Sequence, residues 1–254
     1  MIGNGMDMYL REVRLRDPAA LNSGQYPFNL KAVQALDVLR FHPNVTFLVG
    51  ENGSGKSTLM EAIATACGFN PEGGTRNFNF STEATHSELH RHLLVTKGVR
   101  QAKDGFFLRA ESFYNVATNI DAMDRENVLL PPLISSYGGV SLHRQSHGES
   151  FMALLLHRLG GKGLYLFDEP EAALSPMRQM TMLARIHELV KLDSQFVIAT
   201  HSPILMAYPQ AKLLSLDHGF REVAWRETDH YQVTKTFLGD PDRMMGILFG
   251  ERDG

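Results

Sequence analysis

A glycine-rich octapeptide between a short apolar run and an alanine-rich run constrains this chain more than any other feature. Residues 50–57 read Gly-Glu-Asn-Gly-Ser-Gly-Lys-Ser, which fits the pattern G-x-x-x-x-G-K-[ST]. The apolar residues 45–49 before it predict a buried strand, and residues 58–67 after it, closed by Gly68, predict a helix. A strand, this loop and a helix in that order predict an α/β domain that binds a nucleoside triphosphate.

Each part of the loop has a chemical role in holding phosphate oxygens. The glycines let backbone N–H groups turn toward the phosphates, and the start of the helix adds positive potential. We expect Lys56 to reach the β- and γ-phosphates and the Ser57 hydroxyl to ligate Mg²⁺. A plain glycine-rich turn would explain the glycines but not Lys-Ser at this offset. With ATP and Mg²⁺ as the expected ligands, the predicted nucleotide-binding residues here are Glu51, Asn52, Gly53, Ser54, Gly55, Lys56, Ser57 and Thr58.

An apolar run that ends in two acidic residues predicts the second part of the site. Residues 164–167 indicate a buried strand, and Asp168 and Glu169 follow it directly. A carboxylate that leaves a sheet beside the phosphates holds Mg²⁺ directly or through water, so Asp168 is a predicted metal ligand. Glu169 is placed to orient or deprotonate an attacking water. For this segment alone, a buried strand with a solvated acidic turn is the alternative interpretation.

Composition adds few constraints on function. The chain has 254 residues, of which 43% are hydrophobic and 21% charged, and its net charge of −3 gives no overall attraction to nucleic acid or anionic membrane. The single cysteine, Cys67, excludes an intramolecular disulfide framework, and the N-terminal residues lack the pattern of a signal peptide. No apolar stretch has membrane-spanning length. We therefore expect a cytoplasmic protein without membrane insertion.

Three further segments, together with the octapeptide, resemble the motifs of ATP-binding-cassette (ABC) ATPases and occur in the same order. Residues 145–150, Gln-Ser-His-Gly-Glu-Ser, resemble the signature motif. Residues 168–175, Asp-Glu-Pro-Glu-Ala-Ala-Leu-Ser, are similar to the Walker B and D-loop segments, and residues 198–203, Ile-Ala-Thr-His-Ser-Pro, resemble the switch-histidine loop. The D-E-P-E form looks closest to soluble ATPases such as SMC-type heads, RecF-like and OLD-like proteins, and predicted AAA/ABC ATPases. His147 departs from the family by replacing the first glycine of the signature.

The resemblance implies a mechanism in which two chains share each nucleotide. Two copies would pack head to tail, and the signature of one, with Ser146, Gly148 and Glu149, would close over the ATP held by the other. His201 would contact the γ-phosphate in its own subunit. Glu111 stands at the position of the family's Q-loop glutamine. The resemblance associates this position with the metal, so Glu111 is a further predicted metal ligand. The expected assembly is an ATP-dependent homodimer.

The expected architecture is a P-loop NTPase fold of the ABC type. A mostly parallel central sheet flanked by helices is indicated by the strand–helix–strand order of residues 164–167, 176–192 and 196–199. We further expect an antiparallel N-terminal portion and an inserted helical lobe. The predicted single domain spans residues 1–254 and divides into a core lobe (about 1–75, 104–114 and 160–226), a signature lobe (about 76–103 and 115–159) and a helical tail (about 229–250).

Three roles for such an ATPase are compatible with the residues. The first is a soluble ATPase that drives an unknown protein or nucleic-acid partner. The second is the nucleotide-binding subunit of a transporter, disfavoured because Glu149 stands where transporter cassettes usually have glutamine. The third is an ATP-dependent switch with negligible turnover, disfavoured by Glu169. Residues 76–135 are too few for the coiled coil of a full SMC protein, and those after His201 too few for a separate nuclease domain.

Overall fold

Two β-sheets organise the described part of the chain. The structure is a computed structural model and describes residues 8–76, 87–126 and 131–250. The strands of these ranges are β1 (Leu10–Leu15), β2 (Val38–Arg40), β3 (Val45–Val49), β4 (Leu93–Lys97), β5 (Asp104–Arg109), β6 (Gly163–Asp168), β7 (Gln195–Ala199), β8 (Lys212–Ser215) and β9 (Arg221–Glu222). Their helices are α1 (Lys31–Gln34), α2 (Lys56–Ala66), α3 (Phe113–Glu126), α4 (His147–Ala153), α5 (Pro176–Lys191), α6 (Pro203–Met206), α7 (Asp229–Gly239) and α8 (Pro241–Phe249).

The larger sheet is mostly parallel, as the strand–helix–strand pattern predicted. Within the described ranges its strand order is β5-β6-β7-β3-β8-β9, and only the β8–β9 pairing is antiparallel. Strands β3, β6 and β7 are buried along their whole length, as is usual for apolar strands covered on both faces. Their carboxyl ends meet at one edge, where Ala199 lies between Leu48 and Asp168. This edge positions the loops predicted to bind phosphate.

Successive side chains of the central strands point into two separate cores. Phe47, Phe167 and Ile198 belong to one cluster, whereas Leu48 and Leu166 belong to the other, because neighbouring residues of a strand face opposite sides of the sheet. Helices α3, α4 and α5 cover the first face, and α2 with the smaller sheet covers the second. The central sheet is therefore a rigid layer between two cores, and it fixes the edge that carries the site.

The smaller sheet is antiparallel and has the order β2-β1-β4 in the described ranges. Its first two strands confirm the predicted antiparallel N-terminal portion. Its third strand, β4, lies in the segment expected to be part of the helical lobe, and it pairs with β1 through Val13 and Val95. Residues 77–86 of that segment lie outside the described ranges. The division into lobes stays a prediction. Residues 93–97 are extended because they form the edge strand that pairs with β1.

Helices α2 and α5 begin and end within two residues of their predicted limits. Helix α2 starts at Lys56, two residues before the predicted position, because Gly55 ends the loop with a φ angle of 95° and the chain is helical immediately afterwards. The tail forms α7 and α8, where several apolar side chains are exposed: Val233, Leu238, Ile247, Leu248 and Phe249. None of the helices in the described ranges combines the length and apolar character required to cross a bilayer.

Candidate nucleotide-binding site

The loop after β3 has the backbone of a phosphate cradle. Gly53 and Gly55 have φ angles of 77° and 95°, in the left-handed region that favours glycine. Lys56 is buried, and its Nζ donates hydrogen bonds of 2.9 Å to the carbonyl oxygens of Gly50 and Glu51. The ammonium group is therefore held within the loop, where a phosphate-binding lysine is required. The other predicted loop residues differ in exposure, Asn52 being exposed and Thr58 half-buried.

Lys56 has carboxylates around it, and a buried hydroxyl lies beside it in the loop. Burial lowers the pKa of Lys56, and the carboxylates of Glu169 and Asp217 oppose this shift. Asp217 Oδ2 accepts the backbone N–H of Glu51 at 3.0 Å, which ties the loop to the segment after β8. The Ser54 hydroxyl is buried without a hydrogen-bond partner among the described residues. An unpaired buried hydroxyl in a glycine-rich cradle fits a ligand that brings acceptor oxygens, such as a triphosphate.

Ser57 and Asp168 come together between the start of α2 and the end of β6. Ser57 Oγ donates to Asp168 Oδ1 at 3.2 Å. Burial raises the pKa of Asp168 to about 7, against the opposing effects of the Arg109 charge and the Ser57 hydrogen bond. A hydroxyl beside a carboxylate supplies hard oxygen ligands, and a bound cation favours the ionised carboxylate. The two principal predicted metal ligands are thus adjacent, and their chemistry fits Mg²⁺.

Arg109, at the end of β5, also lies in the candidate site, although it is not among the residues predicted from the sequence. Its guanidinium contacts Glu61 Oε2 at 2.8 Å, Glu111 Oε2 at 3.3 Å and Asp168 Oδ2 at 3.8 Å. Arg109 lies beside Asp168 because β5 and β6 pair in register there. The side chain of Glu111 is 82% exposed, so its assignment as a metal ligand stays a prediction. A charged residue at the carboxyl end of an apolar strand was the available signal for Arg109.

Glu169 is held in an uncommon backbone conformation. Its φ and ψ angles are 49° and 52°, a left-handed conformation that is strained for a residue other than glycine. Its backbone N–H donates to the carbonyl oxygen of Ala199 at 2.9 Å, and its Oε1 lies 3.2 Å from Nε2 of His201. The sheet therefore fixes Glu169 directly after Asp168 and turns its carboxylate toward the histidine. Strain of this kind clusters at functional sites.

His201 lies at the end of β7 with three identified contacts. Its backbone N–H donates to Glu171 Oε1 at 2.6 Å, its Nε2 contacts Glu169, and its Nδ1 lies 2.9 Å from Nε2 of His230. Burial lowers the pKa of His201, and the positive charge of Lys56 lowers it further. The ring is therefore favoured in its neutral form. His230 was not selected from the sequence, because nothing in the pattern of α7 links it to a residue so far along the chain.

The predicted signature segment forms the capped start of α4. Ser146 Oγ donates to Glu149 Oε2 at 2.6 Å, and the two backbone N–H groups complete a reciprocal capping box. The exposed Glu149 has a lowered pKa because of the Ser146 hydrogen bonds. Gly148 is buried, and an added Cβ would lie 2.1 Å from Nη1 of Arg178 and 2.9 Å from the carbonyl oxygen of Ala173. The glycine is thus required for packing against the segment after Glu169.

A cavity of about 370 Å³ joins these parts of the molecule. Its charged and polar lining residues come from four segments, namely Ser57, Arg109, Glu111, His147, Asp168 and Glu169. The resemblance implies that Ser146, Gly148 and Glu149 serve the nucleotide of a second chain. One signature residue, His147, nevertheless reaches a cavity that includes Ser57 of the same chain. The hydroxyl of Ser146 is engaged with Glu149 instead.

The fold and these motifs correspond to known families of ATP-binding domains. Residues 28–112 match a family described as "AAA domain", and residues 138–207 match one described as "AAA domain, putative AbiEii toxin, Type IV TA system". The two matches include the phosphate loop and the segment from the signature to His201. The chain is thus similar to AAA/ABC ATPase domains over these two segments.

Relatives and a solved structure agree with this class. The chain is 25% identical over 190 residues to an uncharacterized ABC transporter ATP-binding protein of Haemophilus influenzae, covering 68% of this chain and 70% of that protein. It is 26% identical over 237 residues to the ribose import ATP-binding protein RbsA of Chelativorans sp., covering 88% of this chain but only 45% of RbsA. The solved structure of cbiO1 from Clostridium perfringens, part of the ABC transporter complex cbiONQ, is 18% identical with a TM-score of 0.51, covering 96% of this chain and 99% of that one. This last similarity concerns the fold.

Proposed function

We propose that the chain binds Mg-ATP and hydrolyses it. The observation that carries the proposal is the contact between Glu169 and His201 beside the cradle of Lys56, Ser57 and Asp168. Lys56 holds the β- and γ-phosphates, and Ser57 and Asp168 hold Mg²⁺, which when bound neutralises charge on the phosphate oxygens. Glu169 accepts a proton from the attacking water. The His201 ring donates from Nε2 to the Glu169 carboxylate and faces the γ-phosphate.

The test of this assignment is the variant Glu169→Gln. We expect multiple-turnover ATP hydrolysis to fall by at least about 100-fold, because glutamine cannot accept the proton, while ATP affinity measured by calorimetry stays within about twofold of the wild type. The variant Lys56→Ala is the matched comparison, because it should lose ATP binding itself. Wild-type turnover in Glu169→Gln would refute the assignment of the base.

We further propose that hydrolysis takes place in a head-to-tail dimer. Ser146, His147 and Glu149 are exposed at the start of α4, so they are available to the nucleotide of a second copy. The Glu169→Gln variant should then form a dimer with ATP and separate with ADP, as measured by light scattering. Two inactive variants, Ser146→Arg and Lys56→Ala, should regain activity when mixed, because the phosphate loop of the first and the signature of the second form one intact site. A monomer with ATP and no recovery on mixing would refute the dimer.

The preferred role is that of a stand-alone ATPase whose dimerisation cycle drives a protein or nucleic-acid partner. The D-E-P-E segment and Glu149 favour this role, and the AbiEii description of one matching family fits a role apart from transport. The second candidate is a transporter subunit, favoured by the names of both relatives. Slow ATP hydrolysis without lipid or detergent, rising with a captured soluble partner, would support the first role. Hydrolysis only with a membrane permease would establish the second.

A further inference from the structure

The switch histidine is bonded on both ring nitrogens, and one of its partners comes from the tail. Its Nε2 lies 3.2 Å from Glu169 Oε1, and its Nδ1 lies 2.9 Å from Nε2 of His230 on α7. The two histidine rings are 5.0 Å apart between centroids, with an angle of 52° between their planes. They meet through ring nitrogens at hydrogen-bond distance, which is a directional contact as well as a packing one.

The chemistry of the three groups sets the direction of both hydrogen bonds. An ionised carboxylate only accepts, so His201 must donate to Glu169 from Nε2. A neutral imidazole carries one N–H, and His201 is favoured in its neutral form by burial and by Lys56. Its Nδ1 is then an acceptor, and Nε2 of His230 must be the donor. The chain of hydrogen bonds therefore runs from His230 through His201 to Glu169.

The first turn of α7 is built to hold His230 in place. Thr228 caps the helix by accepting the N–H of Tyr231, and its hydroxyl lies 2.7 Å from the carbonyl oxygen of Trp225 and 3.8 Å from Sδ of Met206. The rings of Trp225 and Tyr231 pack edge to face, with 4.5 Å between centroids. Met206 ends α6, which begins two residues after His201. Both histidines are thus anchored to the same local structure.

We propose that His230 is a positioning residue for the ATPase reaction, which fixes the ring of His201 so that its Nε2–H faces Glu169 and the γ-phosphate. This inference rests on the proposed function for its catalytic consequence, although the hydrogen bond itself does not depend on hydrolysis. A hydrogen-bond partner on the far side of a functional imidazole commonly sets its tautomer and orientation. Displacement of α7 would release His201, so His230 links the tail to the site.

The test compares two substitutions of similar shape. His230→Gln keeps an N–H donor near the position of Nε2, whereas His230→Met removes it. We expect kcat to fall about five- to tenfold in His230→Met with KM for ATP within about twofold, and to stay within about twofold of the wild type in His230→Gln. His187→Met is the matched control, because its ring contacts Tyr208 away from the site; it should leave kcat unchanged. Adding His230→Met to His201→Ala should cause no further loss.

Nitrogen-15 NMR of histidine-labelled protein tests the hydrogen bond without ATP hydrolysis. His201 is identified by its absence in His201→Ala, and its Nδ1 should give the signal of an unprotonated, hydrogen-bonded nitrogen in the wild type and in His230→Gln. That signal should shift toward the unbonded value in His230→Met. A protonated Nδ1 in the wild type, an unchanged signal in His230→Met, or equal kcat in the two variants would overturn the proposal. An inactive wild type with the expected NMR signals would refute only the proposed ATPase function.

Discussion

Two partly buried arginine–aspartate pairs lie at opposite ends of β5 and β6, and they differ in how completely the protein satisfies their charges and hydrogen bonds. At the amino end, Asp104 accepts hydrogen bonds from Arg158 at 2.9 Å, Tyr165 at 2.8 Å and the N–H of Gly160 at 3.2 Å. At the carboxyl end, Asp168 accepts one hydrogen bond from Ser57 and lies 3.8 Å from Arg109. The Nε of this arginine has no hydrogen-bond partner among the described residues.

The pKa values of the two carboxyl groups are shifted in opposite directions, although burial by itself raises both. Burial tends to raise the pKa of Asp104, but the charge of Arg158 and the hydrogen bonds from Tyr165 and Gly160 outweigh it, so that pKa is lowered. Burial dominates at Asp168 and raises its pKa to about 7. The first pair is complete within the protein. The second leaves Asp168 with a distant counter-charge and a raised pKa, as we expect of a carboxylate that holds a cation under the proposed function.

The largest effect on stability is expected from breaking the complete pair. Asp104→Asn should lower the free energy of unfolding by about 2–3 kcal/mol at pH 7, since it leaves the partly buried Arg158 without its counter-charge. The pKa of Asp104 is lower in the folded state than in the unfolded chain, so its stabilisation is present above the unfolded value and is lost as pH falls through the folded one. The difference in unfolding free energy between Asp104→Asn and the wild type should therefore become smaller below about pH 4. Urea unfolding at a series of pH values measures this difference. The ATP affinity of the variant should stay within about twofold of the wild type. A loss below about 0.5 kcal/mol at pH 7 would contradict this assignment.

The matched substitution at the other end should act with the opposite sign. The pKa of Asp168 is raised from 3.8 to about 7, so its ionisation destabilises the fold progressively as pH rises from about 4 to about 7. Asp168→Asn removes that penalty and should stabilise the nucleotide-free protein by about 1–2 kcal/mol at pH 8 and by less at pH 5. Mg²⁺-dependent ATP hydrolysis should be lost at the same time. Destabilisation by Asp168→Asn at pH 8 would show that the Arg109 pair is structural after all.

The sequence predicts the parts of the site that lie within one short segment and misses those that depend on contacts between distant segments. Strands β3, β6 and β7 and the residues Lys56, Ser57, Asp168 and Glu169 follow from local patterns, because each pattern lies within one short segment. Arg109 enters the site only through the register of β5 with β6, and His230 only through the packing of the tail near α6. The sequence pattern places residues 93–97 in a helical lobe, whereas the structure has them as β4. The pairing of β4 with β1 is a long-range contact, so no local pattern indicates it. Contacts between distant segments do not leave a pattern in either segment.

The smallest effects on stability should come from two buried serines, which allow the same comparison for single hydroxyl groups. Ser150 Oγ lies 2.8 Å from the carbonyl oxygen of Leu142 and 3.0 Å from that of Ser146, so Ser150→Ala should lower the free energy of unfolding by about 0.5–1 kcal/mol. Ser54 Oγ has no hydrogen-bond partner in the described part of the chain, so Ser54→Ala should change that free energy by less than about 0.5 kcal/mol and still weaken ATP binding about fivefold. Unfolding and calorimetry on the two variants separate these outcomes. One result would contradict this assignment: Ser54→Ala destabilises the nucleotide-free protein as much as Ser150→Ala does, and ATP affinity stays the same. The Ser54 hydroxyl would then be a structural group and not a ligand-binding one, and the difference between the two ends of the sheet would not extend to the phosphate loop.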